Sequence, residues 1–357
     1  ILNTRIGDPI PMDFALFSHV PWPEGSEPKQ IYDDITEEFL LGEELGFKSA
    51  WIAEHHFTRY GLGAAPMVLA SNLLAKTTTL RLGFAVLVSP LHLPARLAEE
   101  IATLDILSGG RVNVGFGRGA AGSEYNVANV PGEESQARFQ ESITMVEGLW
   151  TNKNYSFQGE HYKITNANLV PQPVQSPHPP IYIAATRTKA TQEFVAGSGH
   201  PLLIGVVLDT KNAIALCHTI IDLAKTKGKN MTMGQIPFFR YFYVAETEEQ
   251  ARADSKPALD WNLDMIQWRR TFETGSEVWD KMEDFRKTRT ELPPSYDYLY
   301  ENRAFIGSPD QIIAKIKALQ DEGIETFGCN FSFGGMPQEK VTKSMRLFAK
   351  EVMPAFK

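Results

Sequence analysis

From Thr79 to Phe116 the chain reads TLRLGFAVLVSPLHLPARLAEEIATLDILSGGRVNVGF, and the fold class turns on this stretch. Thr79 to Val88 is a long apolar run that predicts a strand. Pro94 to Leu107 reads as a helix, opened by proline in its first turn and stopped by Gly109 and Gly110. Val112 to Phe116 is a second apolar run, so the stretch predicts two parallel strands joined by a crossover helix.

Working outward, the same alternation continues in both directions. Upstream, Met12 to Ser18 and Ser49 to Ala53 read as strands around a helix, Tyr32 to Leu45, whose Ile35, Phe39, Leu41 and Leu45 fall at helical spacing before Gly46. Downstream, strands are expected at Ile181 to Ala184, Leu202 to Val207, Ile236 to Val244 and Thr326 to Asn330. Helices are expected at Ser135 to Trp150, Ala190 to Ala196, Ala213 to Lys227 and Gln338 to Phe348, with others opened by capping patterns at Thr247/Gln250 and Ser308/Gln311. About eight strands in unbroken alternation predict one α/β domain over residues 1–357, a (β/α)8 TIM barrel. Its surplus length falls in two insertions, near 151–180 and 265–305, the second expected to be a mobile lid built as helix plus loop.

The 357 residues are 43% hydrophobic and 22% charged, which permits a large core and excludes disordered and coiled-coil chains. A net charge of −8 without Lys/Arg clusters argues against nucleic acid and anionic membranes as partners. Two cysteines, Cys217 and Cys329, are too few for a disulfide scaffold, and no apolar stretch reaches bilayer length, so the expected compartment is the cytoplasm.

In a parallel barrel the chemistry sits where strands end, which selects Glu54-His55-His56-Phe57, Ser89-Pro90, Gly117-Arg118-Gly119, Ala185-Thr186-Arg187 and the Phe331 to Gly335 turn. Neighbouring residues at a strand end face opposite sides, so one of His55 and His56 can face the mouth as an acid/base while Glu54 holds the other. No histidine spacing suggests a metal site. Gly117 to Gly122 satisfies G-x-G-x-x-G, but a dinucleotide loop needs a helix starting inside it and an acid ending the next strand. Here the next expected helix begins near Ser135, which leaves a glycine-rich turn suited to one anionic group, with Arg118, Arg138 and the Thr186 to Lys189 segment as phosphate candidates.

The stretches Ala53-Glu54-His55-His56-Phe57-Thr58, Leu107 to Arg111 leading into Gly115 to Gly119, Gly307-Ser308-Pro309 and Val352-Met353-Pro354 resemble the bacterial luciferase-like flavin-dependent monooxygenases, most of all their luciferase catalytic subunits. The resemblance spans nearly the whole chain. It implies a barrel that takes reduced FMN from a separate flavin reductase and uses O2, through a flavin C4a-hydroperoxide, to oxygenate a small apolar organic substrate. It implies His55 as the catalytic histidine, with Glu54 and His56 beside it, and Arg118, Gly119, Ala120, Arg138, Ala185, Thr186 and Thr191 around the FMN phosphate. A non-prolyl cis peptide beneath the flavin would fall at Ala85-Val86. A homodimer is the implied assembly. Gly117 stands where luciferase has a reactive cysteine, so light emission is not implied. Alternatives within the same fold are an oxidoreductase that transfers hydride with the deazaflavin F420, and a non-catalytic flavin-binding partner subunit.

Overall fold

The computed structural model describes residues 11–356. Its strands are β1 (Asp13–Ser18), β2 (Ser49–Ile52), β3 (Arg81–Val88), β4 (Val112–Gly117), β5 (Tyr155–Gln158), β6 (Lys163–Ala167), β7 (Ile181–Ala184), β8 (Leu202–Leu203), β9 (Phe238–Val244), β10 (Phe305–Gly307) and β11 (Thr326–Asn330). The helices are α1 (Pro28–Leu45), α2 (Pro66–Leu74), α3 (Pro94–Ser108), α4 (Gly122–Val127), α5 (Ser135–Thr151), α6 (Lys189–Ser198), α7 (Thr210–Thr226), α8 (Glu248–Trp268), α9 (Met282–Thr288), α10 (Tyr296–Asn302), α11 (Pro309–Asp321) and α12 (Gln338–Leu347).

The deciding stretch folds as its pattern predicts. Pro94 sits in the first turn of α3, and Gly109 ends the helix in the left-handed region at φ 67°, where a side chain would be strained. Gly110 N–H closes the turn on Asp105 O at 2.9 Å. β3 and β4 then lie parallel, with Leu82 beside Val112 and Phe84 beside Val114; their register shifts between Phe84 and Leu87, around a cis Ala85-Val86 peptide.

Nine strands form one parallel sheet in the order β10-β9-β11-β1-β2-β3-β4-β7-β8. The sheet curls back on itself: Ile204, just past β8, bridges Phe238 at the start of β9, and Phe239 N–H donates to Ile204 O at 2.8 Å. The strands are buried on both faces, which explains why they read as continuous apolar runs rather than alternating ones.

Four local expectations change. The strand expected at 202–207 stops at Leu203 because the Gly205 carbonyl is taken by a side chain, Arg240 Nη1 at 3.0 Å, instead of a neighbouring strand. The 151–180 insertion carries an antiparallel β5–β6 hairpin. Its turn is held by the Glu141 carboxylate, which accepts the N–H groups of Glu160, His161 and Tyr162. A helix, α4, opens at Gly122 inside the glycine-rich loop, earlier than the predicted start at Ser135. The dinucleotide reading still fails, because the next strand belongs to the hairpin and not to the parallel sheet. The 265–305 insertion holds the end of α8, the α9 and α10 helices and the approach to β10 rather than helix plus loop alone. Part of it packs as a separate cluster of Tyr60, Met265, Trp268, Phe272 and Met282. Among the described residues no helix is long and apolar enough to cross a membrane.

Candidate active site

The ends of β1, β2, β3, β4, β7 and β8 open onto one cleft of about 290 Å³. Of the residues singled out in the sequence, Glu54, His55, Ala85, Val86, Arg118, Gly119, Ala120, Ala185, Thr186 and Thr191 line it. His56 and Arg138 do not. His56 turns to Glu54, and Arg138 is engaged by Glu134, with Nη2 to Oε2 at 2.6 Å.

Glu54 anchors the floor. One of its oxygens receives His56 Nε2 at 2.7 Å and His92 Nε2 at 2.8 Å, and the other accepts Val88 N–H at 2.7 Å. Burial alone would raise its pKa, but the hydrogen bonds and charges of the two histidines outweigh it and bring the carboxyl down to about 2. Glu54 is therefore an ionised acceptor that fixes two imidazoles and the β3 backbone. Its role is to hold, and it stands beside the imidazole that lines the cleft, His55.

His55 is held between opposite charges. Its Nδ1 lies 3.5 Å from Glu124 Oε1, contributed by α4, and 3.3 Å from Arg269 Nη1, contributed by the turn after α8. Nδ1 thus faces both a donor, the Arg269 guanidinium, and an acceptor, the Glu124 carboxylate, which compete for it. Burial lowers the His55 pKa and Arg269 lowers it further, against the pull of Glu124. The ring is thus neutral near pH 7 and available as a base. Tyr60 meets it edge-on at 4.7 Å, and His19 stacks on it at 5.8 Å.

The other part of the cleft is cationic. Arg118 donates to Ser135 Oγ at 3.1 Å and Thr188 Oγ1 at 3.3 Å, and Tyr125 donates to its carbonyl. Among the described residues it has no carboxylate partner, so its charge remains available to an anion. Gly119 beside it has φ +81°, and a Cβ there would lie 2.7 Å from Val88 Cγ1. At Gly117 a Cβ would lie 2.3 Å from Val86 Cγ2, so a cysteine there requires Val86 to move.

Sequence reasoning missed His19, Tyr60, Thr188 as an Arg118 partner, and Arg269 in the cleft wall. His19 directly follows β1, so the strand-end rule would have found it. Arg269 carries no local signal, standing 214 residues from the histidine it meets.

A cleft at the strand ends of a parallel sheet, with an anion-seeking arginine and a buried neutral histidine, defines an α/β enzyme site of the barrel class. Residues 12–326 match the luciferase-like monooxygenase family, and the chain belongs to it. It is 29% identical over 357 residues to the oxygenase component of flavin-dependent trigonelline monooxygenase from Acinetobacter baylyi, covering 97% of this chain and 96% of that protein. It is 26% identical to the alkanal monooxygenase alpha chain of the Kryptophanaron alfredi symbiont, covering 97% and 99%. The solved structure of monooxygenase RslO1 from Streptomyces bottropensis superposes with a TM-score of 0.84 at 25% identity, over 97% of this chain and 100% of that one.

Proposed function

We propose that this chain is the oxygenase of a two-component system that uses reduced FMN from a separate flavin reductase, and O2, to oxygenate a small organic substrate. The observation that carries the reading is Arg118, a cation held only by hydroxyls at a cleft whose wall also bears neutral His55. Arg118, Thr186 and Thr188 would hold the FMN phosphate, with Gly119 and Ala120 offering close backbone approach and Ala85-Val86 lying beneath the ring. Thr191 serves indirectly, since its hydroxyl donates to Gln136 Oε1 at 2.9 Å. Arg138 reaches the phosphate in this reading only by exchanging Glu134 for it.

When bound, reduced FMN supplies the activation of O2 for transfer of one oxygen atom to the substrate. The chain's part is to exclude water with the apolar strand ends and the 265–305 lid, and to hold or move a proton at His55, with Glu54 and His56 steadying its backbone. We read the curled sheet as a closed (β/α)8 barrel with β10 added at one edge, the whole chain forming one domain. We further propose a homodimer through α2 and α3, where Val68 and Leu107 stand 71% and 72% exposed beside a groove of about 590 Å³. A cytoplasmic setting fits two buried cysteines that are both free.

The experiment is titration with FMN, reduced FMN and F420, followed by turnover with a flavin reductase, NADH and candidate substrates under labelled O2. Tight binding of reduced FMN and label in the product are expected. Preference for F420, or no incorporation with any substrate, overturns the reading. His55→Ala is expected to slow oxygenation by about 10²- to 10⁴-fold.

A further inference from the structure

Some part-buried arginines of this protein are fully saturated. Arg111, for instance, spends its guanidinium on the carbonyls of Ser108, Leu80, Leu74 and Thr77 and the Thr77 hydroxyl. Arg269 differs. Its Nε is enclosed and has no hydrogen-bond partner, its Nη1 meets the neutral ring of His55, and its guanidinium lies over the Tyr60 ring at 4.1 Å. It forms no ion pair among the described residues, and it lines the cleft. Arg240 and Arg289 also have an unpartnered nitrogen. Neither lines the cleft: Arg240 is wholly enclosed on β9, and Arg289 pairs with Asp264. Glu124 Oε1 stands across the same His55 nitrogen at 3.5 Å as a neighbouring negative charge, but it is not in ion-pair contact with Arg269, whose remaining donors can meet an anion entering the cleft.

A second donor stands beside it. Asn330 Nδ2 lies 3.2 Å from His19 Nδ1, and His19 Nε2 lies 3.0 Å from the Tyr60 oxygen. Asn262 Nδ2 donates to the Tyr241 oxygen at 2.9 Å. Tyr60 lines the cleft beside Arg269, and its hydroxyl can turn its proton to an acceptor there. A charged donor and a hydroxyl thus stand together beside His55.

We propose that Arg269 and Tyr60 form a carboxylate-binding subsite, so that the organic substrate is an acid, oriented by its anionic group against the lid end of the cleft. The inference rests on reading the cleft as an oxygenase site. It revises the expectation of a wholly apolar substrate, and it assigns the orienting charge to the 265–305 insertion. Arg118 and Arg269 share no hydrogen-bond partner.

The test is calorimetric titration of the full chain with benzoate and phenylacetate, with benzyl alcohol as the neutral counterpart and FMN titrated in parallel. At least one acid is expected to bind. Arg269→Met should weaken it about 10- to 100-fold and Tyr60→Phe about 3- to 10-fold, with benzyl alcohol and FMN unaffected. Binding of neither acid, or equal affinity in Arg269→Met and the unsubstituted chain, overturns the proposal. Should Arg269→Met fail to melt cooperatively, Arg269→Gln and Tyr60→Phe decide by the same criterion. The two readings fail separately: reduced FMN that does not bind sinks the oxygenase, and an acid that ignores Arg269 sinks the subsite.

Discussion

The main core and the small cluster over the cleft are built from the same residue types and behave as different materials. In the core, Phe242 packs against Phe331 and Phe348 at 4.9 Å each and Phe327 at 5.9 Å, between paired strands and the closing helix. The cluster of Tyr60, Met265, Trp268, Phe272 and Met282 is separate from that core, and its insertion is carried by one helix end, short turns and the paired arginines Arg286 and Arg289 on Asp264. The core fixes where strand ends stand. The cluster holds only what reaches over them, Arg269 included. On the proposed function, such an arrangement would keep the proton-moving group on rigid elements and the substrate contacts on a part that can open without unfolding the rest.

The comparison breaks first if the two regions respond alike to truncation. Phe242→Ala should cost about 3–5 kcal/mol of global stability, whereas Trp268→Ala should cost about 1–3 kcal/mol because its site can collapse. Urea unfolding measures both, and hydrogen exchange should localise the second loss to residues 265–289. Equal global losses would merge the two clusters into one cooperative unit.

A second test concerns the floor beneath His55. The Glu54 carboxyl is held down at about 2, below an ordinary 4.5, so its stabilisation is fully present above 4.5 and drains away as pH falls toward 2. The amount is on the order of 3 kcal/mol. Unfolding free energies followed from pH 6 to pH 2 should fall less steeply in Glu54→Gln than in the unsubstituted chain; parallel curves would mean the floor is held by something else. His92 has the opposite sign. Its pKa is raised through Glu54 despite the burial that lowers it, so its contribution is present below 6.5 and fades as pH climbs past its folded value.

The smallest expected effect sharpens the division between the two cations. Arg118→Met should weaken FMN binding by about 10- to 100-fold while leaving the melting temperature within a few degrees, since its only side-chain partners are two hydroxyls. Fluorescence titration of FMN measures the first and calorimetry the second.

Much of this was legible before any coordinate. The parallel strands other than the three-residue β10 appear in the sequence as apolar runs, since a strand covered on both faces has no polar side to interrupt it. The Ser308/Gln311 capping box also forms as its pattern requires, because its signal lies within one helical turn. Helix α2, the β5–β6 hairpin and α4 were not read. Helix α4 has only six residues and gains its meaning from Glu124, which is 2% exposed and faces a histidine on another strand. Arg138 shows the converse. Its pattern resembles a phosphate ligand, but an i, i−4 carboxylate, Glu134, reaches it first.

The sequence by itself therefore determined the parallel α/β architecture, the strand-end residues Glu54, His55 and Arg118, and the membership of a monooxygenase family, because periodicity, caps and motifs are short-range and survive in one dimension. Only the tertiary structure decided which histidine faces the cleft, which arginine is free, and that Arg269 and Tyr60 meet beside His55. Those outcomes depend on which distant group arrives at a given nitrogen or oxygen first. The competition is settled by packing across more than two hundred residues of chain, where no local pattern records the winner.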